Sequence, residues 1–236
     1  CKAIYDIGGN QKDEVAFEVI QDNGISIIVI RGTANTSNML SDIDIRLVSD
    51  TRTGIRLHKG FRDVAVNIMQ IIDTSMTTSR GIVQGQTLTY PLEHTVHVTG
   101  HSLGGAMAVL VAAELNTCPL GVSGGLHTFG QPRVGNKEFL KCLEGMKYYR
   151  YRNNNDLVTA VPPSWLFFRH GGVLRYINTY GNIRKATWLQ RFKDKCRGHW
   201  QALKSFNLID GFADHSMGKY HEFLYNMDDN GEQLPK

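Results

Sequence analysis

Val98-Thr99-Gly100-His101-Ser102-Leu103-Gly104-Gly105-Ala106 sets one serine between glycines where an expected strand meets an expected helix. The strand is Thr95 to Thr99, rich in β-branched residues, and the helix runs from Leu103 to Leu115, rich in Ala, Leu and Met. Side chains flanking so sharp a turn would clash at Cβ, and Gly100 and Gly104 remove those atoms. Ser102 can then project its hydroxyl from a strained turn while the Leu103 N–H, at the start of the helix, faces a developing oxyanion. With 24 glycines among 236 residues, chance alone supplies G-x-S-x-G in roughly one such chain in ten. The neighbouring elements and the partners of Ser102 must therefore carry the argument.

A chain of 236 residues with 42% hydrophobic content can bury a sizeable core, and no linker, repeat or low-complexity run divides it. One α/β domain over 1–236 is expected. The longest apolar run, Ala106 to Ala113, falls far short of the ~20 residues needed to cross a bilayer, so a soluble or peripheral protein is expected. The chain begins at Cys1 with no basic leader and apolar h-region. A removed signal peptide, a lipoprotein-type cysteine and an arbitrary domain start all remain open there; localisation stays open, leaning to secreted or membrane-surface. Cys1, Cys118, Cys142 and Cys196 allow three disulfide connectivities or none, and they lack metal-site spacing. The net charge of +4 hides an asymmetry, because residues 164–204 hold nine Lys/Arg and one Asp, leaving the remainder net acidic.

Along the chain, Val15 to Ile20, a turn at Asp22-Asn23-Gly24 and the apolar run Ile25 to Ile30 read as a β-hairpin. A strand over Ile43 to Val48 and a turn near Thr53-Gly54 follow. Phe61, Val64, Ala65, Ile68 and Ile72 then mark one face of a helix. Thr74 to Leu92, rich in Thr, Ser and Gly, reads as an irregular connection. Further strands fall at Gly125 to Phe129 and Tyr148 to Arg152, and the alternation predicts a mostly parallel or mixed sheet with helices on both faces.

A serine hydroxyl near neutral pH needs an imidazole to take its proton and a carboxylate to orient that imidazole. In sheets of this kind the order is Ser, Asp, His, from loops at the carboxyl ends of strands. Asp156, following Asn153-Asn154-Asn155 at the end of a strand, is the best acid, with Asp194, Asp210 and Asp214 as alternatives that read better as solvated carboxylates. His215, in a loop before a terminal helix-like segment, is the favoured base, and His170 is its competitor. His101 is expected to point away from the serine and pack.

With these residues assembled the chain resembles the class 3 lipases, the α/β-hydrolase family of the fungal triacylglycerol lipases, from about Val15 to Tyr220. The segments that carry the resemblance are Ile30-Arg31-Gly32-Thr33, His58-Lys59-Gly60-Phe61, Val98 to Ala106, Thr128 to Asn136, Asn153 to Val158 with Val161-Pro162-Pro163, and Asp214-His215-Ser216 with Tyr220. The resemblance implies Ser102 as nucleophile, Asp156 as acid and His215 as base, with no metal or cofactor, and it puts His170 outside the triad. It also implies that Thr33 joins Leu103 in the oxyanion hole, and that residues 34–42 form a lid. Within that lid only Met39 and Leu40 are large and apolar. At roughly 25 cal/mol per Å² of apolar area, so polar a lid gains little by opening onto lipid.

Between acid and base, Trp188, Leu189, Phe192, Cys196, Trp200 and Leu203 follow helical spacing, with Arg191, Lys193, Lys195 and Arg197 among them. Such a basic aromatic insertion, about 164–204, could rest on an anionic membrane or pack its aromatic face on the domain. Nucleic acid is not an expected partner, because the rest of the chain is acidic. The expected activity is hydrolysis of carboxylic esters of lipids, triacylglycerols first, with phospholipase A or short-chain carboxylesterase chemistry as alternatives. A hydrolase-like module that binds a membrane surface without turnover is the non-enzymatic alternative. Nothing in the sequence sets an oligomeric state.

Overall fold

The computed structural model describes residues 2–7, 15–32, 47–49, 54–77, 81–83, 86–88, 95–117, 121–178, 181–184 and 214–225. Its strands are β1 (Lys2–Ile7), β2 (Val15–Asp22), β3 (Ile25–Ile30), β4 (Leu47–Ser49), β5 (Arg56–His58), β6 (Gly81–Val83), β7 (Gln86–Leu88), β8 (Thr95–His101), β9 (Gly125–Phe129), β10 (Tyr148–Asn153), β11 (Val173–Ile177) and β12 (Ile183–Arg184). Its α-helices are α1 (Lys59–Thr77), α2 (Leu103–Leu115), α3 (Lys137–Leu140) and α4 (Met217–Tyr225). Eight strands form one mixed sheet in the order β1-β2-β3-β8-β9-β10-β11-β12. Strands β3, β8, β9, β10 and β11 run parallel; β2 and β12 run against them at the two sides, and β1 pairs antiparallel with β2 at the edge.

Both faces of the sheet carry helices. Val96, Val98 and Leu126 alternate onto the face that buries α2, whose side chains are small enough to let it lie close to the strands. Every residue of α2 except Leu103 and Glu114 is buried, which is why its sequence is apolar all round. Helix α1 packs alongside through Phe61, Ala65 and Ile68. On the opposite face, α4 brings Tyr220 against His101 and Phe129 at the carboxyl ends of β8 and β9. Among the described residues no helix is long and apolar enough to cross a membrane.

Several expectations are refined. The hairpin, α2 and β9 lie where the sequence placed them. The stretch expected to be irregular instead contains the end of α1 and the antiparallel pair β6 and β7. Within that pair, Gly81 lies opposite Leu88 and Val83 opposite Gln86. Strands β11 and β12 lie within the span assigned to the basic insertion, their strand character obscured by Arg175 and Arg184. Strand β1 was not assigned from the sequence at all. Of the expected strand Ile43 to Val48, only its end falls within described residues. Met39 and Leu40, expected in a lid, Thr33, expected in the oxyanion hole, and the aromatic run Trp188 to Leu203 lie outside them, as do Cys1, Cys118 and Cys196. Cys142 carries a free thiol.

Candidate active site

Strand β8 ends and α2 begins with a single residue between them, and that residue is Ser102, at φ 59° and ψ −126°. A non-glycine residue there stores strain, typically ~1–3 kcal/mol. The surroundings hold it in place. A Cβ at Gly100 would strike the backbone of Gly104, one at Gly104 would strike Ile30 O, and one at Gly32 would come within 3.0 Å of His101 O. The Ser102 N–H donates to Phe129 O at 2.9 Å, which ties the turn to the neighbouring strand. Leu103 is the first residue of α2, so helix geometry offers its N–H no carbonyl within the helix. Gly32, one residue before Thr33, lies beside this turn, with a built Cβ 3.5 Å from Leu103 N.

Ser102, Asp156 and His215 are brought together from three different loops and are all buried. His215 Nε2 lies 2.7 Å from Ser102 Oγ, and His215 Nδ1 lies 3.0 Å from both carboxylate oxygens of Asp156. Nδ1–H donating to the carboxylate leaves Nε2 as the acceptor for the serine hydroxyl. Asp156 has further donors: the Val158 N–H at 2.9 Å to Oδ1, and the Tyr220 hydroxyl at 2.7 Å to Oδ2. The Asn153 N–H donates to the Tyr220 oxygen at 2.9 Å, so the phenolic proton is directed to Asp156. Burial, followed by the neighbouring carboxylate, holds the Tyr220 hydroxyl well above its ordinary pKa, and it stays a neutral donor.

The loop that carries the acid also clasps the loop that carries the base. Asn153 Nδ2 donates to Asp214 O at 2.9 Å, and the Asn154 side chain and Asn155 N–H each donate to Asp214 Oδ2 at 3.2 Å. Lys219 Nζ completes the set at 2.8 Å from Asp214 Oδ1. Asp214, read from the sequence as a solvated carboxylate, is instead buried, because these donors hold its charge beside His215. Gly130, at φ 58°, presses its backbone against the pair; a Cβ there would lie 2.8 Å from Asp156 Oδ2 and 2.9 Å from His215 Nδ1.

The other histidines are placed differently. His170 donates from Nε2 to Thr159 O at 2.7 Å, and burial, followed by the Arg150 charge, holds its pKa well below the ordinary value. The imidazole that reaches Ser102 Oγ is that of His215. His101, expected only to pack, lies against the ring of His215 and is hydrogen-bonded to its backbone. Its Nε2–H donates to His215 O at 2.8 Å, and its ring stands 4.7 Å from the His215 ring. Burial, then the neighbouring His215 imidazole, lowers its pKa to about 4. Asp194 and Asp210 lie outside the described residues. No group of His, Cys, Asp and Glu among the described residues has the arrangement of a metal site.

Sequence reasoning gave no role to Tyr220, Asn153, Asn154 or Gly130. The glycine in Thr128-Phe129-Gly130-Gln131-Pro132 and the polar run before Asp156 were visible signals, but hydrogen bonds between loops some sixty residues apart leave no local periodicity.

Residues 27–165 match the family model for lipase (class 3). The lipase of Rhizomucor miehei is 36% identical over 151 residues, which is 61% of this chain and 39% of that protein. The chain thus spans about two-fifths of the length of the curated relatives it matches. Among solved structures, lipase II from Rhizopus niveus superposes with a TM-score of 0.61 at 26% identity, over 75% of this chain and 66% of that one. A triacylglycerol lipase described as having a serine protease triad as its catalytic centre superposes with a TM-score of 0.55 at 30% identity, over 70% of this chain and 62% of that one.

Proposed function

This chain belongs to the class 3 lipase family, and from that premise we propose that it is a serine hydrolase of lipid carboxylic esters, acting first on triacylglycerols. Ser102 is the nucleophile, His215 the general base and then acid, and Asp156 the group that orients the imidazole and stabilises its cation. The observation that carries this reading is the hydrogen-bonded series Ser102 Oγ, His215 Nε2, His215 Nδ1 and Asp156, at 2.7 and 3.0 Å, on a strained strand-to-helix turn.

Ser102 Oγ attacks the ester carbonyl carbon as its proton passes to His215 Nε2. The carbonyl oxygen becomes an oxyanion facing the Leu103 N–H, with the backbone N–H of Thr33 as the second donor. Losing one such donor typically costs ~3–4 kcal/mol of transition-state stabilisation. Collapse of the intermediate expels the alcohol, which takes the proton from His215 and leaves an acyl group on Ser102. Water, deprotonated by the same imidazole, then releases the carboxylic acid. The chemistry uses no metal or cofactor. A lipid interface is the expected working surface, and the solved lipase superposed above supports an acylglycerol as the substrate.

The test is a substrate profile with triacylglycerols of graded chain length beside phosphatidylglycerol, measured above and below the solubility limit. Triacylglycerol hydrolysis that falls by at least about 10⁴-fold in Ser102→Ala is expected. Preference for the phospholipid would replace the triacylglycerol assignment while keeping the ester chemistry. Full activity in the variant would remove the nucleophile from Ser102.

A further inference from the structure

Residues 160–169 form a turn whose backbone is fastened at several points. Leu166 N–H donates to Pro163 O and Phe167 N–H to Ser164 O, each at 3.1 Å, closing one 3₁₀ turn over Ser164–Leu166. Two guanidinium groups hold the turn from below. Arg133 donates to Ala160 O and, at 2.8 Å, to Pro162 O; Arg169 donates to Ser164 O and, at 2.9 Å, to Phe168 O. Backbone bonds from Arg133 N to Val161 O and from Arg169 N to Gly135 O fix the base of the turn against the loop after β9. Phe168 is 1% exposed and anchors the turn inward.

The tip faces the other way. Trp165 is 75% exposed and Phe167 is 61% exposed. Phe167 sits in the left-handed region, at φ 68°, where a bulky residue is strained. Relaxing that strain or folding those two rings inward would ordinarily be favourable, so a surface that keeps both features has a use for them. One cation stands beside the tip and others lie at the base of the turn. The Arg56 guanidinium lies 5.8 Å from the Phe167 ring centroid. Arg152 and Arg169 are close enough to Arg133 to lower its pKa further, beyond the effect of burial. Among the described residues no carboxylate pairs with Arg56, Arg133, Arg152 or Arg169. Aromatic rings at a tip and guanidinium groups at its base match the order of acyl boundary and anionic headgroups at a lipid surface.

We propose that the Ser164–Phe167 turn is an interfacial anchor, with Trp165 and Phe167 entering the acyl boundary of an anionic lipid surface and the surrounding arginines meeting its phosphates. This rests on the reading of the chain as a lipid ester hydrolase. It adds a docking element separate from the residues assigned to the lid. Arg133 joins the anchor to the segment that follows Asp156, so docking holds the acid loop at a fixed height above the lipid.

The experiment uses the full chain carrying Ser102→Ala, so that lipid is not consumed. It is mixed with vesicles of phosphatidylcholine alone or with added phosphatidylglycerol, and binding is read by sedimentation. Binding that rises with phosphatidylglycerol is expected, together with a loss of about tenfold in the Trp165→Ser/Phe167→Ser double variant. Arg56→Gln should weaken only the dependence on phosphatidylglycerol. In the chain with Ser102 intact, the double variant should hydrolyse a soluble short-chain ester as the parent does, which also shows that it folds. Equal vesicle binding by parent and double variant overturns the anchor, as does a dimer that dissociates in the double variant with vesicle binding unchanged. Failure of the parent to hydrolyse the soluble ester or emulsified triacylglycerol would overturn the ester-hydrolase reading, whatever the vesicles show.

Discussion

His101 and His215 stand with their rings 4.7 Å apart and have opposite relations to the proton. His215 has a carboxylate on one nitrogen and a hydroxyl on the other, while His101 is buried with a backbone carbonyl as its partner. With its folded pKa near 4 against an ordinary 6.5, His101 binds its proton more readily in the unfolded chain. Its contribution to stability is complete above pH 6.5 and is lost as pH falls toward 4. His101→Gln, which keeps a donor for His215 O, should therefore flatten the decline in unfolding free energy between those pH values, as measured by urea titration. An unchanged slope would place the acid sensitivity elsewhere. At the same scale, Tyr220→Phe removes a donor from the Asp156 carboxylate and leaves the Asn153 N–H without its acceptor. A charge-assisted bond of this kind is worth about 1.5–3 kcal/mol. A fall in kcat of about tenfold or more with KM little changed is expected, and a fall in affinity alone would contradict a positioning role.

The strand-to-helix turn is the element on which the chemistry depends, and its strain belongs to the turn as a whole. Ser102 is held at positive φ by packing that a Cβ at Gly100 or Gly104 would destroy. Ser102→Gly should relax the backbone, whereas Ser102→Ala should not. Chemical denaturation of the two inactive variants should find the glycine form more stable by about 1 kcal/mol, and equal stability would mean that the turn stores no strain. This element was also the most legible in the sequence. Local glycine spacing and the change from strand to helix patterning locate it to the residue, because both are short-range effects. Asp156 and His215 could be placed only among competitors, since their selection depends on which loops meet. Gly130 and the Asn153-Asn154-Asn155 run stand in plain view in the sequence, but their parts in seating the pair and clasping Asp214 do not, for the same reason. The strands β11 and β12 were hidden by their cationic residues, which composition assigns to a surface and pairing assigns to the sheet edge.

At the scale of the whole molecule, five parallel strands deliver the acid loop and the nucleophile turn to one edge, and α4 returns across the second face to bring in His215 and Tyr220. The chain's ends of contact are thus far apart in sequence, with His215 113 residues from Ser102. A folded chain assembles this constellation, and an unfolded one has no activated serine. Labelling with a fluorophosphonate, followed by peptide mapping, tests the assignment most directly. The account predicts a single adduct on Ser102 of the native protein, lost in His215→Ala and after denaturation. A folded native protein that stays unlabelled, or carries the adduct on another serine, would contradict it.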